Sequence, residues 1–80
     1  MKLYSIRDRK VNYNTPFEAK NDTVARRSFD ATRKAENSMI GMYPEDYELW
    51  LIGYFDEEKG TINQLGTYEP KLIMRGDEEL

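Results

Sequence analysis

Between residues 47 and 55 the chain runs Tyr-Glu-Leu-Trp-Leu-Ile-Gly-Tyr-Phe. The segment is too short and too rich in aromatic and branched side chains for a helix, so it reads as a strand. Strand side chains alternate, so Leu49, Leu51 and Phe55 share one face with Gly53 among them. Trp50, Ile52 and Tyr54 share the other. Both faces are apolar, as expected of a central strand covered on two sides. Pro44-Glu45-Asp46 leads into it. Asp56-Glu57-Glu58-Lys59-Gly60 follows it, four charges and a glycine that supplies the positive φ of a short hairpin loop. Thr61 and Ile62 begin a returning strand over 61–65.

The other elements are placed around this hairpin. Residues 2–8 read as a first strand, with Tyr4 and Ile6 on one face and Leu3, Ser5 and Arg7 on the other. Residues 9–17, with two Asn, a Thr and a Pro, form a loop. Phe17-Glu18-Ala19 is a short extended piece. Asn21-Asp22-Thr23 starts a helix, because each side chain accepts from a free backbone N–H. The helix is expected over 22–36. Its buried face is read as the stripe Val24, Ser28, Ala31 and Ala35 with Ala25, Phe29 and Thr32 beside it, small residues anchored by Phe29. Arg26, Arg27, Asp30, Arg33 and Lys34 form the solvent side. Residues 39–44 are an apolar connection expected to pack under the sheet. Gly66 and Pro70 interrupt the pattern, and residues 71–75 read either as a last short strand or as a segment lying along a sheet edge. The expected class is α+β: an antiparallel sheet of three to four strands with one helix packed on it, in a single domain over 1–75. Residues 76–80 are expected to be an acidic mobile tail.

Composition narrows the chemistry. The 80 residues include no cysteine and no histidine. That removes thiolate and imidazole ligands, disulfides and an imidazole base. Ser5, Ser28 and Ser38 have no histidine to activate them. The carboxylates of Glu45, Asp46, Asp56, Glu57 and Glu58 stand in turns, lack calcium-loop spacing and read as solvated charge. No glycine-rich phosphate loop is present. The expectation is a binding protein with no catalytic residues, no metal and no cofactor. An apolar run long enough to cross a membrane and the apolar core of a signal peptide are both lacking, so a soluble intracellular protein is expected. A domain this small buries only roughly 60% of its unfolded surface, and association into a homodimer is expected to support it.

The net charge of −3 is unevenly spread. Residues 1–40 carry nine Lys/Arg and five Asp/Glu, a balance of +4, whereas residues 41–80 carry three and ten, a balance of −7. Single strands of nucleic acid are held by cationic tracks with aromatic rings for stacking. The candidate set is Arg7, Arg9 and Lys10 next to Tyr13, with Arg26, Arg27, Arg33 and Lys34 on the helix. The cations would hold phosphates and Tyr13 would stack on a base. Tyr13 and Tyr54 are the expected exposed rings, and Trp50 is read as core. The rival expectation is a module that recruits or inhibits a replication or assembly protein of phage or host through a sheet edge or the acidic half.

The opening Met1-Lys2-Leu3-Tyr4-Ser5-Ile6-Arg7-Asp8-Arg9-Lys10, the Pro16-Phe17 pair and Ala25-Arg26-Arg27-Ser28-Phe29 carry a further signal. So does Tyr43-Pro44-Glu45-Asp46-Tyr47-Glu48-Leu49-Trp50-Leu51-Ile52-Gly53-Tyr54-Phe55-Asp56, closing on Gly60. Together they resemble the small non-structural protein of gokushovirus-type microviruses, tailless phages with single-stranded DNA genomes. The resemblance covers residues 1–65, and the last fifteen match loosely. It implies a protein of the infected bacterial cytoplasm, absent from the virion. Its implied role is to bind DNA, or to help the switch from duplex replication to single-strand synthesis and packaging. The acidic tail is expected to cover the basic face when DNA is absent.

Overall fold

The computed structural model describes residues 1–63 and 69–80. Its elements are β1 (Lys2–Asp8), β2 (Phe17–Ala19), α1 (Asp22–Lys34), α2 (Met39–Met42), a 3-10 turn (Pro44–Asp46), β3 (Tyr47–Asp56), β4 (Thr61–Ile62) and β5 (Lys71–Arg75). All strand pairs are antiparallel. β3 is central, with β1 along one edge, β4 and β5 along the other, and β2 outside β1. The class is the expected α+β sheet with one main helix, and the sheet has five strands when the short β2 and β4 are counted. Gly60 closes the β3–β4 loop at φ +68°. Gln64, Leu65 and Gly66, assigned above to the returning strand and its end, lie outside the described residues.

Register sorts the two faces. Tyr4 pairs with Leu51, Ile6 with Leu49 and Asp8 with Tyr47. Met74 pairs with Leu49. These cross-strand partners share the face on which α1 lies, and Tyr4, Leu49, Met74, Ala25 and Phe29 are all buried there. Tyr4 and Phe17 stack with ring centroids 6.0 Å apart. The Tyr4 hydroxyl donates to Asp22 Oδ1 at 2.5 Å, tying β1 to the first turn of the helix. The opposite face presents Ser5 paired with Trp50, Arg7 with Glu48 and Leu72 with Trp50. Among the described residues no helix covers it. The expectation that β3 is covered on both sides is therefore corrected: apolar residues on two faces of a strand do not specify two layers.

The helix starts at Asn21, whose side chain accepts from the Val24 N–H at 2.9 Å. It buries Ala25 and the expected anchor Phe29 but is rotated away from the expected Val24 stripe. Ala25, Phe29 and Asp30 are its buried residues, whereas Val24, Ser28, Ala31 and Ala35 are exposed. The reason is an ionic cluster on the inner side. Arg33 Nε donates to Asp30 Oδ1 at 2.8 Å, and Lys34 Nζ lies 2.8 Å from Asp30 Oδ2. Arg33 also spans to the C-terminal segment, donating through Nη1 to the carbonyls of Gly76, at 3.0 Å, and Glu78. A buried carboxylate is tolerable only with such partners.

The Lys34 hydrogen bond, helped by Arg33 and opposed by burial, holds the Asp30 carboxyl below the usual aspartate range. A carboxyl depressed in the folded state contributes stability that is fully present above its unfolded pKa of about 4, and this is lost as pH falls through the folded value. Asp30→Asn is therefore expected to flatten the loss of stability below about pH 4, read by urea denaturation across pH. An unchanged acid slope would contradict the assignment.

Gly76 locks the end of β5 under the 3-10 turn. Its N–H donates to Tyr47 O at 2.7 Å. A Cβ there would lie 2.2 Å from Pro44 O and 3.0 Å from Tyr47 O, both backbone atoms. Gly76→Ala is expected to cost roughly 1–3 kcal/mol by overpacking, seen as a lower urea midpoint. A midpoint equal to that of the native chain would contradict this packing.

The connection after α1 also departs from expectation. Residues 39–42 form a short helix capped by Ser38, and only Ile40 is buried. Met39, Met42 and Tyr43 face solvent.

Candidate nucleic-acid interface

The loop after β1 is fixed by its own polar groups. The Lys10 N–H donates to Asp8 Oδ1 at 3.0 Å, and the Val11 N–H donates to Asp8 O at 3.0 Å. The Asn14 N–H donates to Ile6 O at 2.8 Å, and Tyr13 forms a bridge with Arg7. Ser5, buried on the open face, donates through Oγ to Asn14 O at 2.7 Å. These bonds fold the loop back over the sheet and lay Tyr13 against Trp50, ring centroids 6.2 Å apart at 78°.

Arg7 joins the two rings. Its guanidinium carbon lies 5.5 Å from the Tyr13 centroid and 5.9 Å from that of Trp50. Nη1 stands 3.7 Å from Glu48 Oε1, which also accepts from Trp50 Nε1 at 3.1 Å. Glu48 therefore orients the indole and balances part of the Arg7 charge. Tyr13 and Tyr54 are both exposed, as the sequence suggested, and Trp50 is half-buried on the open face rather than part of the core. The arrangement is a corner of two rings at nearly a right angle, flanked by a guanidinium. A planar base can stack on one ring while its phosphate meets Arg7.

The eight predicted residues do not form one track. Arg7 and Tyr13 meet on the open face. Arg9 and Lys10 stand at the end of the sheet, with Arg9 Nη1 on Glu45 O at 3.4 Å and Lys10 Nζ 3.6 Å from Asp46 Oδ2. The helix residues lie on the other side of the sheet. Arg26 Nη2 reaches Ile73 O at 3.4 Å. The Arg27 side chain makes no ion pair or hydrogen bond to another described residue. Lys34 leans on Asp30 with most of its side chain in water. Arg33, placed by sequence on the solvent side, is largely enclosed between Asp30 and the C-terminal carbonyls. The expected tail meets this helix through Arg33, and its residues 76–78 carry further bonds, including Glu78 N–H to Arg75 O at 3.1 Å.

Sequence reasoning missed Trp50 and Glu48 as members of the cluster. Their signal was the alternation that set Trp50 apart from Leu49 and Leu51. What the alternation lacks is the identity of the covered face. Among the described residues, no group of acidic side chains is arranged to hold a metal ion, and no helix is long and apolar enough to cross a membrane.

No curated protein and no solved structure matches the chain. A protein-family model does match, over residues 1–79, from the first strand to the end of the acidic segment. The chain belongs to the Phage ORF5 protein family, and it is a phage protein.

Proposed function

We propose that this phage protein is an accessory factor that binds single-stranded DNA through the open face of its sheet, in support of genome replication or the switch to single-strand synthesis. The observation that carries the reading is the cluster of Arg7, Tyr13 and Trp50. A guanidinium beside two partly exposed rings is the side-chain set that single strands use, phosphate to cation and base to ring. Arg9 and Lys10 extend the positive charge from Arg7 toward the sheet end. Arg26, Arg27 and Lys34 lie beyond this surface and act at most as a second contact. The resemblance of the sequence to gokushovirus non-structural proteins supports the same reading, and the proposed place of action is the infected bacterial cytoplasm.

Fluorescence anisotropy of a labelled ~20-nucleotide strand tests it, with a duplex of equal length as control. Three phosphate contacts, from Arg7, Arg9 and Lys10, give an expected slope of log affinity against log salt of about −2. Single strands are expected to bind more tightly than duplex, whose stacked bases are closed to the rings. No binding at low salt, or equal binding of duplex, overturns the proposal.

A further inference from the structure

A second surface lies at the end of the sheet, where the loop after β1 meets α2 and the 3-10 turn. It is an open cleft of about 390 Å³. Its floor carries Asp8, Asp46 and the buried Tyr47, and its walls are Val11, Met39 and Tyr43. The walls are apolar yet exposed, Val11 at 73%, Met39 at 55% and Tyr43 at 46%, with Met42 exposed at 56% on the same short helix. An apolar surface held in water, with unbranched methionines that adapt to a ligand, is the make-up of an interaction site.

The charge of the cleft selects the occupant. Two carboxylates face one ammonium, that of Lys10, which stands 3.6 Å from Asp46 with its side chain 76% exposed. That pair is loose and exchangeable. Arg9 is not among the residues that line the cleft; its guanidinium lies on the Glu45 carbonyl, and the Glu45 carboxylate matches its charge. Burial first, and then the Asp8 charge, push the Tyr47 phenol up in pKa, so it stays neutral. The cleft therefore favours a cation over an anion. Arginine and lysine carry apolar stems that lie along apolar walls while the charged head reaches past them.

We infer that this cleft docks a basic, apolar segment of a partner protein, with one arginine or lysine stem against Val11, Met39 and Tyr43 and its cation on Asp46 and Asp8 in place of Lys10. The site borders the Arg7–Tyr13–Trp50 face through Lys10, but its apolar walls and carboxylates stand whether or not that face binds DNA.

The test is a ¹⁵N NMR titration of the full chain with the acetylated, amidated peptide Ala-Leu-Arg-Leu-Ala, and with the same peptide carrying neutral citrulline for arginine. The arginine peptide is expected to shift the amides of Asp8, Val11, Met39, Tyr43 and Tyr47. The citrulline peptide is expected to bind about tenfold more weakly, the loss of one charge-assisted hydrogen bond. Asp46→Asn is expected to weaken binding of the arginine peptide to a similar degree. Val11→Lys, at a site that is almost wholly exposed, repels the cation without touching the core and is expected to weaken it too. Three results overturn the inference. They are no shifts at these amides, equal affinity for the two peptides, or the same amides moving with protein concentration alone, which would assign the cleft to a second copy of the chain.

Discussion

Phe29→Ala is expected to cost about 3–5 kcal/mol and to leave the chain close to unfolding at room temperature. Phe29 is wholly buried at the centre of the helix–sheet interface, beside Ala25, Tyr4, Leu49 and Met74. Removing its ring opens a cavity that the rigid strands beneath do not fill. Globular domains hold roughly 0.05–0.15 kcal/mol per residue, so 80 residues supply about 4–12 kcal/mol in all. The loss is a large fraction of that. Val24→Ala is the informative companion. Val24 is 40% exposed, and its truncation is expected to change stability by no more than about 0.5 kcal/mol. Urea denaturation followed by circular dichroism separates the two. Equal losses would place the buried stripe of α1 through Val24 and contradict the helix rotation described above.

The second large effect falls on binding. Trp50→Leu keeps an apolar side chain on the open face and removes the ring. Stacking of one base is worth about 1–3 kcal/mol, so affinity for a single strand is expected to fall about 5- to 150-fold. Tyr13→Ala, in the loop, is expected to act in the same direction. Arg7→Gln should do something different: it should lower affinity at low salt and reduce the magnitude of the salt slope by about 0.7. Arg33→Gln should leave binding alone and lower stability, because Arg33 is engaged with Asp30, Gly76 and Glu78. Affinity that falls for Arg33→Gln but not for Trp50→Leu would move the interface to the helix side.

Local chemistry made much of the fold legible. The first strand, the Asn21 cap and the Gly60 turn are each set by residues within a few positions of one another, whereas residues 71–75 were settled as a strand only by their pairing with β3. The helix rotation is not. Val24, Ser28 and Ala31 and the neighbouring Ala25 and Phe29 are adjacent stripes, and three-and-four spacing fits either. What decides between them is Arg33, whose carbonyl partners on Gly76 and Glu78 lie more than 40 residues away in sequence. An arginine on a helix reads as solvent-facing until its partners are known. The candidate site was legible in half. Arg7 and Tyr13 stand together because a short loop returns on its own strand, whereas the basic helix was joined to them by charge alone, and charge carries no information about faces. Trp50 entered only through the register of β3 against β1. Residues 39–43 misled for a related reason: an apolar run reads as core, and here it forms the walls of a cleft.

Trp50 is the only tryptophan in the chain, so its fluorescence reports on the open face alone. The most direct test of the central claim is to follow that emission while an unlabelled single strand is titrated in, at low and at high salt. The account predicts saturable quenching as a base stacks on the indole, with the midpoint moving to higher DNA concentration as salt rises. Emission that stays unchanged while anisotropy reports bound DNA would show that the strand lies elsewhere and would contradict the account.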